Sequence, residues 1–158
     1  EETGKDFEEN AILKAKNAFT KTNISSVGDD SGLIVPAINN EPGLYSARYA
    51  GLNATDSDNR NKLISKLKDN KLESTYAYFF CCIVAVGIKG QNEIIVCSGK
   101  VEGEVRTIER GKKGFGYDPM FYPKGYSESF AELNSLEKNK ISHRGQALKK
   151  LMDKLNKT

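Results

Sequence analysis

The chain has 158 residues, with 38% apolar and 28% charged residues and a net charge of +3, an ordinary balance for one folded domain. It is far from the disordered and collagen-like extremes, and the mild charge does not indicate a nucleic-acid partner. The longest apolar stretch, residues 76–88, is too short to span a bilayer as a helix, and no signal peptide is expected before it.

In chain order, Asp6 is placed to cap a first helix, with Glu9 at the third position as in a capping box. Phe7, Ala11, Leu13 or Ala15, Ala18 and Phe19 supply its apolar face. Residues 24–27 read as a short strand running into a polar turn, Gly28-Asp29-Asp30-Ser31-Gly32. Leu33 to Val35 is apolar and Pro36 interrupts it. Residues 39–43 read as a loop and 44–49 as extended chain. Thr55 caps a second amphipathic helix over 56–68, with Leu63, Ile64 and Leu67 inward.

Residues 76–88 are the strongest strand, rich in aromatic and β-branched side chains. A turn at 89–92 leads to hairpin partners over 93–98 and 100–107. A glycine-rich stretch at 111–116, a Tyr117-Asp118-Pro119 turn and an apolar Met120-Phe121-Tyr122 follow. A short helix is expected at 129–136. Ser142 caps the last helix, with Leu148, Leu151, Met152 and Leu155 as its buried stripe. The order predicts an α/β domain with a central sheet and flanking helices. Cys81, Cys82 and Cys97 form no CxxC, and there is one histidine, which argues against a zinc site and for buried, reduced thiols.

Four places carry candidate chemistry. Asp29 and Asp30 suit Mg²⁺, a hard cation that takes oxygen ligands, or they are an ordinary acidic turn. Glu9 is a helix cap, and a functional reading of it depends on the first helix pointing its N-terminus at the Asp29-Asp30 turn. His143 and Arg144 place cations in a first helical turn, where they oppose the dipole. The same terminus attracts phosphate; the alternative is an Arg144 ion-paired to a neighbouring element and a satisfied surface His143. Phe115 between Gly114 and Gly116 can stack on a flat ligand or plug the core. Acids for a metal, cations for phosphates and an aromatic for a base make an inventory for Mg-dependent nucleotide chemistry. No GxxxxGK[ST] loop or kinase motif set is present.

Five stretches, in order, resemble the inosine triphosphate pyrophosphatases. They are Phe7-Glu8-Glu9-Asn10-Ala11, Asp29-Asp30-Ser31-Gly32-Leu33, Gly43-Leu44-Tyr45-Ser46-Ala47-Arg48-Tyr49, Gly114-Phe115-Gly116-Tyr117-Asp118-Pro119 and Ser142-His143-Arg144-Gly145-Gln146-Ala147. The resemblance implies an elongated α/β fold with a mixed central sheet and a central active-site cleft. It implies Mg-dependent hydrolysis of ITP, dITP and XTP to monophosphate and pyrophosphate by a cytoplasmic homodimer. By position, Glu9 and Asp30 resemble the metal carboxylates and Asp30 the base that activates water. Ser31, Phe115, Gly116, Tyr117, Asp118 and Lys138 resemble substrate contacts, and His143 and Arg144 the pair that reads the base. The family opens with a strand, a Thr/Ser-Gly-Asn turn and a lysine, whereas this chain starts at Glu1 beside the first matching helix. The expectation is therefore a single ITPase-like domain over 1–158 that is N-terminally truncated. A nucleotide-binding protein with impaired catalysis is the alternative. Neither a membrane nor a nucleic acid is expected as partner.

Overall fold

The computed structural model describes residues 3–88, 90 and 93–157. The expected turn at 89–92 lies outside the described residues except for Gly90. In chain order the elements are helix α1 (Phe7–Thr22), strand β1 (Ser26–Val35), a 3₁₀ turn (Pro36–Ile38) and strand β2 (Glu41–Pro42). A second 3₁₀ segment (Gly43–Arg48), helix α2 (Asp56–Asp69) and strands β3 (Ser74–Val86) and β4 (Ile94–Arg106) come next. A third 3₁₀ turn (Asp118–Met120), strand β5 (Phe121–Pro123) and helices α3 (Ser135–Ile141) and α4 (His143–Asn156) complete the chain. The strands form one sheet in the order β2-β1-β3-β4-β5, antiparallel where β1 meets β2 and where β4 meets β5.

The chain groups into two compact units. The first comprises the described residues of Glu1–Ser31, Phe80–Lys100 and Ser142–Thr158, and the second comprises Gly32–Phe79 and Val101–Ile141. In the first unit, the two-residue period of β3 explains its unbroken apolar run. Cys81, Ile83 and Ala85 pack with Ile95 and Cys97 of β4 against Ala147 and Leu151 of α4. Cys82, Val84 and Val86 take the other face, against Ala11 and Ala15 of α1. Both faces of the strand are covered by helices, so every residue of 81–86 is buried. All three thiols are free and buried. Burial pushes the Cys82 thiol up to about 12.

The second unit has its own core. Leu63 and Leu67 of α2 are fully buried with Leu33, Val35 and an aromatic cluster. Phe79 meets Phe121 edge-on at 4.7 Å, and Phe121 lies 5.0 Å from Phe130. Each such pair adds about 0.5–1.5 kcal/mol beyond its burial.

The caps at Asp6, Thr55 and Ser142 form as expected: each side-chain oxygen accepts from an N–H three residues on. Several local expectations need correction. Gly28-Asp29-Asp30-Ser31-Gly32 is the middle of β1 rather than a turn, because sheet pairing overrides the turn preference of its residues. Residues 43–48 coil as a 3₁₀ segment instead of extending. There the Ser46 hydroxyl donates to Gly43 O (2.6 Å) and accepts from Leu33 N–H (2.9 Å), closing a tight turn against β1. The hairpin partners are one continuous strand, β4. Residues 129–133 make a single turn closed by Ser129 and Glu132, and the helix starts after Asn134, whose side chain accepts from Glu137 N–H (2.8 Å). Ser129, Phe130 and Ala131 are buried in succession, which one helical face does not allow. On α4 the buried line is His143, Ala147 and Leu151, with Leu155 half-buried. Leu148 and Met152 are exposed.

Candidate active site

The first unit carries an acid cluster on β1. Strand alternation sends Asp30 to the buried side and leaves Asp29 half-buried. Asp30 Oδ1 accepts from Lys14 Nζ at 2.7 Å, and its Oδ2 accepts from Asn10 Nδ2 at 3.3 Å. Lys14 also donates to the Asp29 carbonyl oxygen (3.0 Å). Asn10 and Lys14 are four residues apart on α1, hence on one face of the helix. That face is anchored by the buried Ala11 and Ala15. Asn10 is itself buried, and its Oδ1 accepts from Gly4 N–H (2.8 Å). Glu9 is exposed at the start of α1. Its backbone N–H is capped by Asp6, while its carboxylate accepts from Lys5 N–H (2.7 Å) rather than closing the box on Asp6.

Arg144, in the first turn of α4, donates through Nε (3.0 Å) and Nη2 (2.7 Å) to Asp29 Oδ2. A cation there opposes the helix dipole, and the carboxylate offsets that cost. Beside the pair, burial pushes the Cys81 thiol up, against the downward pull of the Ser31 hydroxyl; Asp29 raises it further and Arg144 lowers it. Arg144 is thus ion-paired as the alternative expected, but His143 is buried with its capping neighbour Ser142 and not a surface residue, because α4 turns that side chain toward its packed face. The start of α4 sits directly on β4, since a Cβ at Gly99 would collide with the His143 carbonyl oxygen and lie 2.8 Å from Ala147 N. A glycine inside β4 thus sets where His143 and Arg144 begin their helix.

The second unit carries the glycine loop. Phe115 is 60% exposed, so it is not a core plug. Asp118 is buried, and its Oδ2 accepts from Phe115 N–H (2.9 Å) and Lys138 Nζ (2.5 Å). The same ammonium lies 4.9 Å from the Phe115 ring centroid and 5.5 Å from that of Phe130. Gly114 has φ +73°, and a Cβ there would collide with the Asp118 carboxylate, so the loop needs glycine at that point. Tyr117 is buried, and its hydroxyl donates to Ser46 O (2.8 Å). Burial, then the neighbouring Tyr49 and Asp56, push that phenol well above its ordinary range.

A family model described as the Ham1 family matches residues 1–154. The chain belongs to the Ham1 family. A protein of Idiomarina loihiensis named dITP/XTP pyrophosphatase is 47% identical over 157 residues, covering 99% of this chain and 78% of the relative. One of Legionella pneumophila with the same name is 48% identical over 151 residues, covering 96% of this chain and 78% of the relative. Among solved structures, a HAM1 protein from Coxiella burnetii superposes with a TM-score of 0.92 at 44% identity, covering 100% of this Ham1 chain and 80% of that one. The Ham1 protein of Staphylococcus aureus gives 0.89, also at 44% identity, covering 99% of this chain and 79% of that one.

In this Ham1 chain the expected residues fall into two groups. Asp30, Ser31, His143 and Arg144 lie in the first unit with Glu9; Phe115, Gly116, Tyr117, Asp118 and Lys138 lie in the second. In the second group Lys138, Asp118 and Phe115 are tied by hydrogen bonds, whereas in the first Asp30 is held by Asn10 and Lys14 and Arg144 by Asp29. The sequence reading assigned no role to Asn10, Lys14 or Asp29 as the partners of Asp30 and Arg144. The spacing of Asn10 and Lys14, one turn apart beside buried alanines, was the available signal. Among the described residues no group of three or more His, Cys, Asp or Glu is gathered for a metal, and no helix is long and apolar enough to cross a membrane.

Proposed function

We propose that this chain hydrolyses nonstandard purine nucleoside triphosphates, dITP, ITP and XTP, to the monophosphate and pyrophosphate. Kinship at 45–48% identity, over nearly the whole chain, to proteins named dITP/XTP pyrophosphatase carries this reading. The two side-chain groups agree with it chemically. Water adds to phosphorus, the bond to the bridging oxygen breaks, and pyrophosphate leaves with the electron pair. Asp30, buried beside Lys14, takes the proton of the attacking water. Positioning and charge neutralisation supply most of the rate in such reactions.

Glu9 and Asp30 offer only oxygen ligands, from the start of α1 and from the strand that its Asn10 reaches. Mg²⁺ is commonly held by one or two carboxylates and completed by substrate phosphates, so this sparse set fits it. When bound there it would neutralise charge on the triphosphate. Lys138 supplies a further cation for substrate, and Phe115 a ring face for the base. Arg144, aimed by Asp29, and His143 donate to the 6-keto oxygen of hypoxanthine or xanthine. Adenine places a donor there and would leave such groups unpaired, which disfavours it strongly. The same reading carries a homodimer in the cytoplasm. Three buried free thiols suit that compartment, and the modest charge leaves nucleic acid out as a partner.

The test is pyrophosphate release from dITP, XTP and dATP with and without Mg²⁺. Metal-dependent turnover of dITP and XTP well above dATP is the expected result. Equal rates on dATP, or no turnover of any of the three, would overturn it.

A further inference from the structure

Packing holds the glycine loop at Tyr117, which is buried in the core of the second unit, but not at Phe115. Phe115 points largely into solvent, and a cavity of about 290 Å³ lies along the loop, lined by Asp56, Arg60, Glu109, Lys112 and Phe115 among others. Both glycines flanking Phe115 have positive φ, +73° at Gly114 and +61° at Gly116. Such a segment has many accessible conformations, so something must select one.

Asp118 fixes the Phe115 N–H and Ser46 the Tyr117 hydroxyl, and one turn of α2 fixes Gly116 between them. The N–H of Gly116 donates to Asp56 Oδ2 at 2.7 Å, and its carbonyl oxygen accepts from Arg60 Nη1 at 2.9 Å. The two peptide groups on either side of the Gly116 Cα are thus each held by a charged side chain. Asp56 and Arg60 are four residues apart on α2, so they project from the same helical face. Arg60 is in turn fixed by Glu109 (Nε to Oε1, 2.8 Å), and its side chain is only 16% exposed. The helix that carries both is anchored by the fully buried Leu63 and Leu67, and its start is closed by the Thr55–Asp58 capping box. The brace therefore connects the loop to the rigid core of the second unit. It also uses the one N–H of Gly116 inside the protein, so that donor is not offered to a ligand.

We propose that Asp56 and Arg60 are positioning residues that hold the Phe115–Tyr117 segment in the geometry that receives the nucleobase. The proposal rests on the nucleotide reading given above. Because the brace sets the loop before substrate arrives, its loss weakens binding of substrate and transition state alike. It therefore raises KM and leaves kcat little changed.

The experiment compares Asp56→Ala, Asp56→Asn, Arg60→Ala and the double alanine variant with the native chain. It measures KM and kcat on dITP, calorimetric binding of inosine monophosphate, and hydrogen exchange of the amides at 115–117. Each single alanine variant is expected to raise KM and the Kd for the monophosphate about tenfold, the loss of one charge-assisted hydrogen bond. Asp56→Asn is expected to fall between native and Asp56→Ala, because the amide oxygen still accepts from Gly116 N–H but without the charge. The double variant is expected to lose less than the product of the singles, since both hold one residue. Folded Asp56→Ala and Arg60→Ala proteins with native KM and native amide exchange would overturn the proposal. So would an Asp56→Asn variant as impaired as Asp56→Ala, which would make the charge, not the bond, the cause. A native chain that neither turns over nor binds nucleotide would defeat the functional reading. In that case exchange alone decides the brace: faster exchange at 115–117 in Asp56→Ala supports it, and unchanged exchange removes it.

Discussion

The acid cluster of the first unit and the glycine loop of the second are positioned by opposite means. Asp29 and Asp30 stand on a strand whose place is set by sheet pairing, and Asn10 and Lys14 reach them from a helix seated by two buried alanines. Packing does the positioning and a few polar bonds trim it. The loop around Phe115 is packed at Tyr117 but leaves Phe115 largely exposed. Its shape comes from hydrogen bonds to single peptide groups and from one buried ion pair. The difference teaches where each is vulnerable. A polar substitution in the acid cluster changes chemistry while the strand remains, whereas one in the loop changes the shape itself.

The largest test of that contrast is Asp30→Asn. Sheet pairing holds the backbone, so native circular dichroism and melting are expected to persist. Pyrophosphate release from dITP should fall about a thousandfold, within the range for losing a general base. Unfolding of this variant would show that the cluster holds the strand rather than the reverse.

Lys138→Met makes the matching test in the loop. It strips the cation from Asp118, whose side chain is 4% exposed. Leaving one buried charge of a broken pair costs about 3–5 kcal/mol. A denaturant titration should show that loss together with weaker nucleotide binding. Activity loss with unchanged stability would mean that Lys138 serves substrate alone.

Asp29→Ala separates aim from stability in the first unit. The Asp29–Arg144 pair is about two-fifths exposed at both ends, so its stability share is small, at most about 1 kcal/mol. Freed from Asp29, Arg144 should discriminate less, with KM for dITP rising about tenfold, the scale of one charge-assisted bond, and selectivity over dATP falling. Unchanged selectivity would detach Arg144 from base reading.

The smallest expected effect is on acid stability. Glu41 lies below its ordinary value of 4.5, first through the hydroxyl of Tyr49 (2.6 Å) and then through Lys66, with burial opposing. A depressed carboxylate adds stability above its unfolded value and loses it as pH falls through its folded value, so the contribution fades below about pH 4.5. Tyr49→Phe should flatten the stability profile in that acid window and leave neutral catalysis nearly native. A profile as steep as native would remove the Tyr49 bond as the cause.

Much of this molecule was legible from residues. The three helix caps, the start of α2, the buried run of β3 and the ordered motifs all depend on local chemistry, which neighbours in sequence determine. The errors have a common origin. Gly28-Asp29-Asp30-Ser31-Gly32 has the composition of a turn and is a strand because sheet pairing outweighs local preference. Residues 44–48 have strand-like composition and coil because the Ser46 hydroxyl bridges Gly43 and Leu33.

By itself the sequence determined family and fold class and singled out side chains whose chemistry suits a nucleotide, since ordered motifs and periodicity survive without coordinates. Which group holds which was decided only by tertiary structure. Arg144 and Asp29 are 115 residues apart, and Gly116 is 60 from Asp56 and 56 from Arg60. No periodicity links such positions. They meet because strands pair and helices bury one face, and the polar side chains then satisfy whatever the packing has brought beside them.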